Sequence, residues 1–204
     1  MKHLSLSLLL ISFLLIFSQC KKDDNTPGPV KYDLVQISTD SGNILIWLYE
    51  QTPIHKTNFM TLTGEKYYDS VIFYYVKSND VIKSGDPNGD GTGGKSYLLA
   101  GEFNDSITNV YGAVGAVMNT NPQKSTHGSQ FYIVVNKAGA HSLDKTYSVF
   151  GQVIDGMHTA VAISVLDRDL NNKPLTNIYM KKVEIVKYTE DELKTKFNFK
   201  IPTF

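Results

Sequence analysis

The sequence is poor in arginine, in cysteine and in net charge. Arg168 is the only arginine among 20 basic residues, and 20 acidic residues balance them to a formal net charge of zero. No basic stripe stands out, so nucleic acid is not an expected partner. Cys20 is the only cysteine, which excludes an internal disulfide. Long apolar runs are missing too. The stretch 8–17, broken by Ser12, falls short of the roughly 20 residues that a helix needs to span a bilayer. Aromatic and turn-forming residues are plentiful, with 12 Tyr, 10 Phe, 15 Gly and 7 Pro in 204 residues. Tyr and Phe favour strands and Gly and Pro favour turns, so the composition points to a β-rich domain. A hydrophobic share of 42% is enough for the core of one such domain.

The place of the lone cysteine is informative. Residues 1–19 carry Lys2 and His3, then the apolar run, then Ser18 and Gln19 ahead of Cys20. A charged start, a short apolar stretch and small or polar residues before a cut site describe a signal peptide. The segment resembles a bacterial lipoprotein signal. That resemblance implies lipidation of Cys20 and a membrane-anchored location in the cell envelope, at the outer membrane, facing the periplasm or the surface. Residues 20–31, with Lys21, Lys22, Asp23, Asp24 and three turn formers, read as the anchor and its tether. The folded domain is expected over 32–188, and a monomer is expected.

Within that span, Leu34, Gln36 and Ser38 alternate with Val35 and Ile37, which predicts a strand. Asp40-Ser41-Gly42-Asn43 predicts a hairpin turn into a second strand over 44–48. Thr52-Pro53 predicts a helix start, with Thr52 as cap. Further strands are expected at 72–76, 81–83, 113–118, 131–135, 149–153 and 179–188, and a second helix at 157–165. Thr189 and Glu192 have capping-box spacing, so the tail 189–204 is expected to hold a helix.

Several motifs invite chemistry. Gly89, Gly91 and Gly94 satisfy G-x-G-x-x-G, but no helix pattern follows, as a dinucleotide site requires. Asp86, Asn88, Asp90 and Gly91 match the start of a calcium loop, yet Tyr97 stands where the bidentate Glu belongs. No metal site is expected: His55, His127, His141 and His158 lack ligand spacing. Ser129, in His-Gly-Ser-Gln, is not a nucleophile elbow.

Another pattern covers most of the domain. It comprises Tyr68-Asp69-Ser70-Val71-Ile72-Phe73, the run from Gly85 through Gly94, Glu102-Phe103-Asn104-Asp105, Gly128-Ser129-Gln130-Phe131-Tyr132-Ile133, and Leu143-Asp144 leading to Val149-Phe150-Gly151-Gln152-Val153. Pro53, Thr57, Asn58 and Phe59 precede it. In this order and spacing the segments resemble the cyclophilin family. The resemblance implies an all-β fold, a closed eight-stranded antiparallel barrel capped by two helices. It implies peptidyl-prolyl cis-trans isomerase activity with no cofactor or metal. Proline-containing peptides or unfolded envelope proteins are the implied partners.

The family places a catalytic arginine two positions after the Phe that matches Phe73; here that position is Tyr75. The family's pocket Phe and Met match Asp80 and Val81, and the Gln that steadies the arginine matches Lys83. Catalysis is therefore expected to use Lys83 as the charged donor, Tyr75 to orient it, and the retained Gln130. Val81, Val117, Tyr132, Leu143 and Tyr147 match positions that contact substrate. The alternative implied by Tyr75 is a weak or inactive peptide-binding module of the same fold. Lys83 directed into the pocket would favour catalysis.

Overall fold

A computed structural model describes residues 28–119 and 123–204. The segment expected as a leader (1–19) and Cys20 lie outside the described residues. Among them are nine strands, three α-helices and one 3-10 turn. In chain order these are β1 (Lys31–Thr39), β2 (Gly42–Leu48), α1 (Pro53–Gly64), β3 (Tyr75–Val76), β4 (Val81–Ser84), β5 (Leu98–Leu99), β6 (Ala113–Met118) and β7 (Thr126–Val134). The 3-10 turn His141–Leu143, β8 (Val149–Asp155), α2 (Met157–Ser164), β9 (Met180–Thr189) and α3 (Glu190–Phe197) complete the series.

Every pairing is antiparallel, in the order β3-β4-β7-β6-β8-β2-β1-β9, with β5 added to β7. The expectation of a closed eight-stranded barrel with two helices needs correction. The ladder has nine strands and is not closed. Where its ends approach, the isolated bridge Ile72↔Tyr179 is the pairing formed, flanked by N–H groups of Ser70 and Phe73 donating to Met180 O and Ile178 O. Ser70 takes a left-handed φ of 66°, and Tyr74 N–H has already turned to Lys83 O. The segment expected as a strand over 72–76 thus yields only two strand residues. β7 begins five residues before its expected start, because Thr126, His127, Ser129 and Gln130 hide the strand under polar residues.

Strand β2 is buried on both faces of the sheet. Ile44, Ile46 and Leu48 of β2 face a central core with Phe59, Leu62, Phe73, Phe131 and Phe150. The alternate residues, Leu45 and Trp47 with Tyr49 after them, belong to a second cluster with Leu34 and Leu193. The C-terminal tail covers that outer face. Its helix is capped by Thr189, whose hydroxyl accepts from Glu192 N–H while the Glu192 carboxylate accepts from Thr189 N–H. Leu193 is fully buried, and Phe199 packs 5.3 Å from the Trp47 ring.

Thr52 occupies the cap position of α1, but its hydroxyl donates to Tyr49 O at 3.4 Å. The cap comes from 48 residues downstream. Glu102 accepts from Ile54 N–H at 3.0 Å and His55 N–H at 2.9 Å. It also meets His55 Nδ1 at 2.6 Å, while His55 Nε2 lies 2.9 Å from Thr126 Oγ1. A carboxylate only accepts, so Nδ1 carries the proton and Nε2 accepts from the threonine. Burial holds the His55 pKa below the ordinary range, against the opposing pull of Glu102.

Candidate active site

Strand register brings the expected residues together. Tyr75 on β3 pairs with Lys83 on β4, Lys83 pairs with Tyr132 on β7, and Tyr132 pairs with Gly115 on β6. Paired residues in a sheet project from the same face, so the four form one row across it. Gly115 is required there: a Cβ would stand 2.2 Å from the Tyr132 ring, which lies across the strand. Val81 shares the face, two residues before Lys83. From the far side, the segment after β7 contributes Leu143 and Tyr147.

The result is an open groove of about 280 Å³ lined by Tyr75, Asp80, Val81, Lys83, Val117, Met118, Tyr132, Leu143 and Tyr147. Its floor is apolar, with Val81 at 5% and Tyr132 at 1% exposure. Tyr147 meets the Tyr132 ring edge-on, 5.9 Å between centroids. Seven of the eight positions read from the sequence thus line one groove.

Lys83 is the charged feature of this wall. Its ammonium lies 4.7 Å from the centroid of the Tyr75 ring, a cation–π contact that orients the side chain. Among the described residues it has no hydrogen-bond or ion-pair partner, whereas the nearby Asp80 is bound to Lys77 at 2.8 Å. Burial pushes the Lys83 pKa below the ordinary lysine value; Asp80 raises it and Lys77 lowers it further. Lys83 thus presents a half-buried ammonium, with three N–H donors, on the groove wall.

Gln130 is the exception: it does not line this groove. It stands on the same strand face as Tyr132, but the glycine-rich loop folds over it. Its Oε1 accepts from Tyr74 OH at 2.6 Å, and its Nε2 donates to Gly91 O at 3.2 Å and Gly93 O at 2.6 Å. The side chain is consumed in holding that loop. The loop itself is organised by buried Asp86, which accepts N–H donors from Asn88, Asp90 and Gly91. Gly85 takes φ +90° where a Cβ would stand 2.1 Å from Ser129 O. The calcium-like and dinucleotide-like spacings therefore have a structural origin in a loop tied to β7.

The comparisons agree with this geometry. Residues 34–185 match the family described as cyclophilin type peptidyl-prolyl cis-trans isomerase/CLD. Peptidyl-prolyl cis-trans isomerase ppi1 of Schizosaccharomyces pombe is 36% identical over 144 residues, 69% of this chain and 91% of that protein. Peptidyl-prolyl cis-trans isomerase-like 3 of Homo sapiens is 34% identical over 155 residues, 74% of this chain and 94% of the relative. A crystal structure of a Cryptosporidium parvum cyclophilin type isomerase, obtained in the presence of the dipeptide Ala-Pro, superposes with a TM-score of 0.69 at 29% identity. That match covers 75% of this chain and 98% of the other. The chain belongs to the cyclophilin type peptidyl-prolyl cis-trans isomerase family.

Proposed function

We propose that this groove binds Xaa-Pro segments and that the protein isomerises the bond before the proline. The observation that carries the reading is an apolar floor beside a half-buried ammonium that has no hydrogen-bond or ion-pair partner among the described residues. An Xaa-Pro bond isomerises over tens to hundreds of seconds unaided, because amide resonance sets a barrier of about 18–20 kcal/mol for a peptide bond. No acid, base or nucleophile is needed to cross it. Twisting the bond localises the lone pair on the prolyl nitrogen, so a donor reaching that atom stabilises the twisted amide over the planar one. Val81, Tyr132 and Leu143 offer an apolar seat for the prolyl ring, and Lys83, held over Tyr75, is the donor. A charged donor is roughly twice as strong as a neutral one, and its partial desolvation adds to that strength.

The test is isomerisation of a short Ala-Pro peptide by the wild type and by Val81→Arg, which fills the groove. The expected result is acceleration by the wild type and its loss in the variant. An unaccelerated wild type, or a fully active Val81→Arg, overturns the reading; wild-type binding without turnover supports a peptide-binding module instead. We further propose, on the leader pattern alone, that Cys20 is lipidated and the domain assists folding in the cell envelope. Metabolic labelling with a fatty acid should mark the full chain and not Cys20→Ser; equal labelling of both contradicts the anchor.

A further inference from the structure

We propose that Asn109 is a positioning residue that sets the width of the groove by tying its floor to its far wall. This rests on the groove being the peptide site. Tyr132 is the buried ring of the floor, and its hydroxyl bonds a residue that does not line the groove. It donates to Asn109 Oδ1 at 2.6 Å. Asn109 is fully buried and its other polar groups reach the opposite wall. Its N–H and its Nδ2 both donate to Asp144 Oδ1, at 2.7 and 2.9 Å. Its carbonyl accepts from Ala140 N–H at 2.7 Å. Asp144 Oδ2 in turn meets His141 Nδ1 at 2.9 Å.

Segment 140–147 is the one that carries Leu143 and Tyr147 into the groove. One side chain therefore joins the strand that supplies the floor to the turn that supplies the wall. On its other side the Tyr132 ring rests on Gly115, where no side chain can hold it in place. Gly139 brings the turn so near that a Cβ there would stand 2.8 Å from Asn109 O. The distance between Tyr132 and Leu143 is thus set by the hydrogen bonds of a fully buried residue that does not itself line the groove. Burial of the Tyr132 phenol raises its pKa well above the ordinary tyrosine value, which keeps it the donor to Asn109.

Asn109 acts through Tyr132, and a double-mutant cycle separates that from general destabilisation. The experiment measures dissociation constants for an Xaa-Pro peptide with wild type, Asn109→Ala, Tyr132→Phe and the double variant, below each variant's melting temperature. Asn109→Ala should weaken binding by roughly five- to tenfold, the equivalent of one buried hydrogen bond. In the Tyr132→Phe background the same change should cost less than twofold. Equal fold-losses in both backgrounds, or no loss from Asn109→Ala, overturn the proposal. Asn109→Ser, with a shorter side chain that keeps an oxygen, serves if the alanine variant does not fold, and should show the same background dependence. A ligand-free readout keeps this distinct from the peptide-site reading. The Cζ resonance of 13C-labelled Tyr132 should move in Asn109→Ala; an unmoved resonance sinks the tether even if peptide binds. A wild type that binds no Xaa-Pro peptide, with the resonance moving as expected, sinks the peptide-site reading and with it the groove-setting role.

Discussion

Replacing Lys83 by Met removes the ammonium and keeps most of the apolar stem that packs on Tyr75. The fold should tolerate it, since the ammonium makes no hydrogen bond or ion pair among the described residues and a partly buried cation–π contact is worth about 0.5–2 kcal/mol. Catalysis should not tolerate it. A hydrogen bond from a charged group contributes about 1.5–3 kcal/mol, which at 1.36 kcal/mol per decade lowers kcat/KM by roughly ten- to a hundredfold. The pH profile gives an independent check. Burial holds the Lys83 pKa below the ordinary lysine value. Only the protonated form donates with charge, so wild-type activity should fall as pH rises through that depressed value. Lys83→Met should be slow and flat over the same range. Two-dimensional exchange spectroscopy on an Ala-Pro peptide measures both rates without a coupling protease. A Lys83→Met enzyme within twofold of wild type, or sharing its alkaline fall, refutes the role of the ammonium.

Glu102→Ala should cost about 2–4 kcal/mol in a urea titration at pH 8, by stripping the cap from α1 and leaving His55 Nδ1 bare. The folded pKa of His55 is depressed, so its contribution to stability is complete above the unfolded value of about 6.5 and declines as pH falls below it. Without Glu102 to support the protonated ring, that decline should steepen; a variant with the wild-type pH slope contradicts the pairing. Deleting residues 190–204 uncovers Trp47, Leu34 and Leu45, and should lower stability by at least about 4 kcal/mol and the melting temperature by roughly 10 °C in calorimetry. Gly115→Ala places a methyl 2.2 Å from the Tyr132 ring. It should cost about 1–3 kcal/mol and raise KM for a peptide substrate by pushing that ring into the groove; an unchanged KM argues that the floor is not part of the site.

Much of the groove is legible in the chain because its register is local. Lys83 and Tyr75 are joined by one short hairpin, and Val81 follows from the pleat. Two of the five matching segments supply Tyr132 and Leu143. The contacts of Gln130 are not legible in the same way, because spacing along β7 reports the face of a strand but not the loop that folds over it. The reach of Glu102 to α1, and of Asn109 to Tyr132 and Asp144, is invisible for a similar reason. These are hydrogen bonds across 47, 23 and 35 residues between ordinary polar side chains, with no periodicity to announce them. The tail was readable as a helix from its capping box. Its role as the cover of the outer sheet face follows only from the unbroken apolar run of β2, buried on both sides.

The most direct measurement is a nuclear Overhauser spectrum of wild-type protein with a 13C-proline-labelled Xaa-Pro peptide. Contacts between prolyl protons and Val81, Tyr132 and Leu143 should appear together with accelerated cis–trans exchange peaks. Contacts elsewhere on the surface, or exchange no faster than in the free peptide, would contradict the account.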